Sequence, residues 1–447
     1  MKKSTATKTK NTNRRLRIIC CDYINPQKDN KSSLQRNGAI VLTPVGKSQF
    51  KILDLGPIEK MFKKHGQKEV EVMDFSTQLV IPTFFDMHFH WVQDDVRLMP
   101  KDSLLEWLSK YTWPYESKFK DKKYASDKAQ LFARELVRVG TLGGACYSSL
   151  HAHATDLAMK EFVGDFIVGN VLMDMNSPEY LTHTTKEGLK SVESLAKKYK
   201  ERYALTPRFA PTTSPELMKQ GAKLARKNKS FIQTHLSETP NEIDYVLSIY
   251  KKLKGFEKVK SYTEIYEKTD ILSSKTIMGH GIYLNDQELK TLAKTKTAIA
   301  HCPTSNAPVK ELGLGSGLFD FKKTEKFKIR WALGSDIGGG PFLSMFDVMK
   351  SFVAQNKKKK NGATYEKALY RATLAGAEIL NLQKEAGNLE KGKWANFLVL
   401  PAPKIKKNET SESVLKLLLE DKKLQRTELD YLVEHTFYKG ELFYSKA

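Results

Sequence analysis

The sequence predicts an α/β chain: a (β/α)8 TIM-type barrel with a small β-sandwich domain built from both chain ends. Three observations predict it. From residue 83 onward, short apolar segments alternate with helical ones, as βα units on a parallel sheet do. The apolar segments number eight, which favours a closed barrel over an open sheet. The chain on either side of this stretch is strand-like. The predicted division is a disordered basic tail over 1–15, the barrel over 82–380, and a β domain shared by 16–81 and 381–447.

Each element has a local reason. The tail holds six basic and no acidic residues among Ser, Thr and Asn, a composition without apolar surface to bury. The runs LRIICCDYI, GAIVLTPV, SQFKILDL and VEVMDFSTQLVIP are β-rich and separated by turn residues. The barrel strands are expected in the segment before His88 and in GGACYSSLH, DFIVGNVLM, RYALTPRF, SFIQTH, KTIMGH, TAIAHCP and IRWALGSD. All are short and mostly apolar, which suits strands covered on both faces. Helical periodicity marks 102–110, 127–139, 187–199, 214–227, 241–253, 286–294 and 343–355. After these, AGNLEKGKWANFLVLPAP and HTFYKGELFYS return to strand and are expected to pair with 17–80.

Composition sets limits on function. With 447 residues, 40% of them hydrophobic, the chain can build a barrel and an added lobe. No run of eighteen apolar residues predicts a membrane helix, and the polar first residues carry no secretory core. Four cysteines, two of them adjacent, suggest no disulfide framework and so a cytoplasmic location. The net charge is +23, but the lysines are scattered and no aromatic–basic run or nucleic-acid motif accompanies them. A solvated basic surface is expected, which argues against nucleic acid as a partner.

The chemistry concentrates at strand ends. In TFFDMHFHWVQ, His88 and His90 are two apart, so in a strand they face the same side. Later strands end in His235, His280, His301 and Asp336. A barrel gathers those ends around one mouth, where side chains do chemistry. One histidine at a strand end is ordinarily a hydrogen-bonded structural residue; several converging ones share a reason. His88, His90, His235 and Asp336 suit Zn2+ with one position left for water, and iron or manganese is chemically tolerable. Glu238, just past its strand, and His280 are the groups available to move protons. A second HxH, His151 and His153, is expected to contribute at most a His151 near the substrate, with His153 turned away. The fourth strand offers no lysine for a carboxylated-lysine bridge between two metals. His65, His183 and His435 lie outside the rim and read as surface residues.

TFFDMHFHWVQ, RFAPTTS, THLSE, GHGIYL, AHCPTSN and LGSDIGGG together resemble the amidohydrolase superfamily. The longer runs SLLEWLSKYTWPYESKF, GACYSSLH, MDMNSPEYL, TPRFAPTTS and GSGLF resemble, more narrowly, the guanine deaminase family, over nearly the whole chain. That resemblance implies one zinc per chain on His88, His90, His235 and Asp336, and a base pocket of Gln93, Arg208 and Phe209. It also implies hydrolysis of guanine to xanthine and ammonia: an activated water, flanked by Asp336 and His280, attacks the carbon bearing the amine. Glu238 protonates the adjacent ring nitrogen and then the leaving group. A homodimer is implied as well. The alternatives are a related aminohydrolase or chlorohydrolase acting on another heterocycle, or a non-catalytic binding paralogue. Three departures stand out: a longer stretch APVKELGL beside the mouth, Ser335 where threonine is common, and Asn396 where aspartate is usual.

Overall fold

The computed structural model describes residues 15–446 except 68, 102, 404–407, 421–428 and 431. The basic tail expected over 1–15 therefore lies, save for Arg15, outside the described residues. The chain begins with β1 (Leu16–Gln27), β2 (Lys31–Val45) and β3 (Gln49–Pro57), successive antiparallel neighbours. β4 (Val70–Pro82) then returns parallel to β1. Its last four residues are buried, and only Thr83 separates it from the first barrel strand. The two sheets are thus covalently continuous at a buried joint.

The barrel comprises β5 (Phe84–His90), β6 (Thr141–Ser148), β7 (Asp165–Leu172), β8 (Ala204–Pro207), β9 (Phe231–Leu236), β10 (Thr276–His280), β11 (Ala298–His301) and β12 (Trp331–Leu333). Neighbouring strands are parallel and follow one another in sequence order around the sheet. β5 and β6 are buried at every residue, because one face meets the barrel interior and the other the helix layer. β13 (Phe397–Pro401), β14 (His435–Tyr438) and β15 (Glu441–Ser445) then join the N-terminal strands. The result is a seven-stranded sheet in the order β15-β14-β13-β4-β1-β2-β3.

The edges of the barrel sheet, β12 and β5, are fastened by polar contacts between residues just past the end of β12 and residues within β5. Asp336 N donates to His88 O at 2.7 Å. Asp86 Oδ1 accepts from Ser335 N at 2.9 Å and from His88 N at 3.2 Å, while its other oxygen accepts from the Ser335 hydroxyl. Asp86 is two residues before His88, so strand alternation carries both inward. The closure of the barrel and the placement of the histidine pair are therefore one event.

Most helices form where periodicity places them, including Lys122–Arg138, Thr185–Tyr199, Pro215–Lys227, Asp286–Thr295 and Met345–Asn356. Three expectations need correction. The helix expected over 102–110 continues to Lys120 and changes winding: α over Leu104–Trp107, a π turn over Leu108–Thr112, then α again over Trp113–Glu116. Pro114 explains the change. It has no N–H to donate, its ring would collide with the Lys110 carbonyl in an α-helix, and the wider π turn relieves that collision. The C-terminal part is not all strand: Ser411–Glu420 is a helix whose Val414, Leu415, Leu418 and Leu419 enter the largest apolar core. His65 is not on the surface; it is buried, with Nε2 3.1 Å from Asp54 Oδ2 in an ion cluster with Lys64 and Lys391. Among the described residues no helix is long and apolar enough to cross a membrane.

Asp86→Ala leaves three buried donors without their acceptor, so it is expected to lower stability by about 3 kcal/mol. A shift of the urea midpoint measures it; an unchanged midpoint would show that the barrel edges are fastened by other means.

Candidate active site

Three imidazoles and a carboxylate meet at the mouth. His90 Nε2 is 3.3 Å from His88 Nε2 and 3.2 Å from His235 Nε2. Asp336 Oδ1 is 3.3 Å from His88 Nε2 and 3.4 Å from His90 Nε2. Ligands about 2.0–2.1 Å from a tetrahedral zinc ion stand about 3.3 Å apart, so these separations are those of a ligand shell. The protonation states agree. His235 Nδ1–H donates to the Arg208 carbonyl at 2.6 Å, which leaves Nε2 as a lone pair facing the cluster. Burial, reinforced by the neighbouring imidazoles, holds His90 and His235 well below the usual histidine pKa, and burial lowers His88 as well. Burial works against an ionised Asp336, but His88 and His280 outweigh it and keep its pKa well below the carboxylate range. Neutral imidazoles and one carboxylate aimed at a single point repel one another unless a cation sits between them. The donor set fits one divalent metal ion.

His280 stands beside this group: His88, His235, His280 and Asp336 each offer an atom within 4.8 Å of the others. Its nearest carboxylates are Glu238 Oε2 at 3.5 Å and Asp336 Oδ2 at 3.9 Å, wider than the ligand spacings. His280 and Asp336 both have left-handed backbone, φ 67° and 50°, a conformation that costs a non-glycine residue about 1–2 kcal/mol. In exchange, the strands end by turning both side chains to the barrel axis. Gly279 must be glycine for a steric reason instead, since a Cβ there would lie 2.6 Å from His88 Cε1. Burial opposes a charged His280, yet Glu238 and Asp336 outweigh it and raise its pKa. Burial raises that of Glu238.

Glu238 is held through both its side chain and its backbone. Ser316 Oγ donates to its Oε1 at 2.7 Å, and its backbone N donates to Glu242 Oε2 at 2.8 Å. Thr239 and Glu242 form the capping box of helix Pro240–Tyr250, so the helix start fixes the loop that carries Glu238. Glu242 also lines the cavity, and burial followed by the charge of Glu238 pushes its carboxyl up to about 7. On its other ring nitrogen His280 donates to Asn306 Oδ1 at 3.1 Å.

The cavity beside the cluster is lined by Gln93, Arg208, Phe209, Glu238 and Asp336, with Leu104, Trp107, Leu108 and Leu314 as apolar walls. Gln93 and Arg208 are both buried and share a partner that sequence reading missed. Glu116 accepts from Gln93 Nε2 at 2.7 Å and from Arg208 Nη1 at 2.6 Å. The signal was present: Glu116 ends the WPYE part of the run that carried the narrower family resemblance. The stretch over 307–314 reaches the mouth. Leu314 reaches the cavity, and Leu312 O accepts from the buried Lys101 Nζ at 3.3 Å. His151 and His153 do not line the cavity; His153 Nε2–H donates to Phe119 O at 2.9 Å. Ser316, Glu242, Asn306 and Asp86 were also missed, because each touches an expected site residue through space rather than through sequence spacing.

Residues 79–441 match the model of the amidohydrolase family. The guanine deaminase of Escherichia coli K12 is 32% identical over 380 residues, 81% of this chain and 84% of that protein. A solved structure of E. coli guanine deaminase superposes with a TM-score of 0.82 at 27% identity, covering 96% of this chain and all of that one. The guanine deaminase of C. acetobutylicum, whose structure holds guanine in the active site, gives a TM-score of 0.77 at 28% identity over 96% of this chain and all of that one.

Removing one partner of a buried ion pair strands the other charge. Arg208→Met is therefore expected to cost about 3–5 kcal/mol of stability. Adding Glu116→Gln to it should recover part of that loss. Equal denaturation midpoints for the wild type and Arg208→Met would show that the pair is not tightly desolvated.

Proposed function

This chain belongs to the amidohydrolase family, and from that premise we infer its reaction: it hydrolyses guanine to xanthine and ammonia. One observation carries the reading: a single cavity holds Arg208, Gln93 and Phe209 next to polar atoms spaced for one metal ion. His88, His90, His235 and Asp336 are assigned as the ligands and zinc as the ion, because three imidazoles and a carboxylate suit it, and water would join as a fifth ligand. When bound, zinc lowers the pKa of water to about 7 and so makes a nucleophile available at neutral pH.

The chain's own residues do the rest. Arg208 donates to the purine carbonyl, Phe209 packs on the ring face, and Gln93 reads a ring edge. Asp336 and His280 orient the water. Glu238 takes one proton from the attacking water and gives it to the ring nitrogen beside the attacked carbon; it then takes the second from the hydroxyl that has joined that carbon and gives it to the departing amine, so that one water is consumed and one ammonia leaves. Ser316 occupies one oxygen of Glu238, and the other faces His280, which makes it the oxygen that carries protons. Residues 82–380 are assigned as the catalytic unit, and 16–81 with 381–447 as its support. The proposal includes a homodimer and, with four buried, unpaired cysteines, a cytoplasmic location.

The zinc-loaded protein should release ammonia from guanine, and Glu238→Ala should lower kcat by about 10²- to 10⁴-fold while still binding zinc. Chelation should abolish turnover and added zinc restore it. Folded, zinc-loaded wild type that leaves guanine untouched would overturn the substrate assignment. Light scattering at the mass of a single chain would remove the dimer.

A further inference from the structure

Glu116 does not line the cavity, yet it bonds to two of the residues that do. It is 1% exposed, and Arg208 is 3% exposed. An ionised carboxylate only accepts hydrogen bonds, and here each oxygen has its own donor: Oε1 takes Gln93 Nε2 and Oε2 takes Arg208 Nη1. An amide can be turned over without changing its shape, but next to a buried carboxylate only one way round is tolerated, with the NH2 group against it. Gln93 is thereby fixed with its carbonyl on the opposite side. That oxygen lies against Gly338, where a Cβ would come within 2.3 Å of it. Among the described residues, none donates to it.

We propose that Glu116 is a positioning residue that sets the hydrogen-bonding polarity of the purine pocket. By accepting from both Gln93 and Arg208, it leaves Gln93 an acceptor toward the substrate and Arg208 a donor beside it. That pair matches a lactam edge, a ring N–H next to a carbonyl, as in guanine. It opposes the reversed edge, a ring nitrogen acceptor next to an amino group. A site whose buried groups are paired in one sense rejects the opposite sense strongly, because each mismatch leaves a group unsatisfied. The π turn and Pro114 belong to the same device, since they set the winding that delivers Glu116 to these two side chains. The inference rests on guanine being the substrate.

The test is Glu116→Gln, assayed on guanine and on 2,6-diaminopurine. The second purine keeps the amine that leaves but presents the reversed edge. Arg208 claims the oxygen of the introduced amide, whose NH2 then faces Gln93 and forces its amide over, turning a donor toward the substrate. Guanine kcat/KM should fall about 100-fold, mostly through KM, and the guanine to 2,6-diaminopurine ratio about tenfold. The double variant Gln93→Glu/Glu116→Gln restores a carboxylate facing an amide and an acceptor toward the cavity. It should regain about tenfold of the lost guanine kcat/KM.

A folded Glu116→Gln with the wild-type ratio and KM overturns the proposal, and so does a loss that the double variant fails to recover. If Glu116→Gln does not fold, the double variant decides. Folded with guanine preference, it supports the proposal; unfolded, or folded without that preference, it overturns it. Wild-type turnover of guanine is read first, and its absence would fail the substrate assignment itself and this inference with it.

Discussion

Everything at the mouth of this barrel depends on holding several lone pairs closer together than they would choose to be. Nε2 atoms of His88, His90 and His235 and an oxygen of Asp336 stand 3.2–3.4 Å from their neighbours. Left to themselves these groups would rotate apart or take up protons. The backbone prevents it. Asp336 is tied to His88 through its own N–H, His235 through its ring to the Arg208 carbonyl, and Asp86 clamps the strand that carries the histidine pair. The left-handed conformations of His280 and Asp336 are strain of the kind that persists only where surrounding structure over-determines it.

The imidazole–carboxylate cluster and the cavity beside it are also one mechanical unit, joined at Arg208. Its carbonyl fixes the tautomer of His235, while its guanidinium pairs with Glu116 at the cavity wall. A displacement of either half is therefore felt by the other. Glu238 is anchored separately: it takes its support from the start of helix Pro240–Tyr250 and from Ser316, just after the stretch over 307–314. Positioning within a fraction of an ångström matters for such chemistry, and here it is supplied by three segments far apart in sequence.

The barrel was readable because its signal is local and repeated. Buried parallel strands are short apolar runs, and eight of them separated by helical periodicity leave little else to build. His88 and His90 were readable because a spacing of two in a strand means a shared face. Reading failed where the deciding contact was distant. His65 looked like a surface residue because nothing nearby in sequence announces Asp54 and Lys391 around it. The helix after β5 ran further than expected because Pro114, normally a stop, is accommodated by a π turn. The helix Ser411–Glu420 was lost in a segment judged by its strands.

By itself the sequence determined which residue types reach the strand ends and hence the class of chemistry, since side-chain direction follows from strand periodicity alone. Only the tertiary structure decided how those residues are held. Whether Gln93 presents its carbonyl or its amide, which oxygen of Glu238 is occupied by Ser316, and which nitrogen of His235 faces the cluster all depend on partners. Those partners are Glu116, Ser316 and the Arg208 carbonyl. Hydrogen-bond polarity is a property of a pair, and these pairs exist only once segments 23 to 92 residues apart have been brought together.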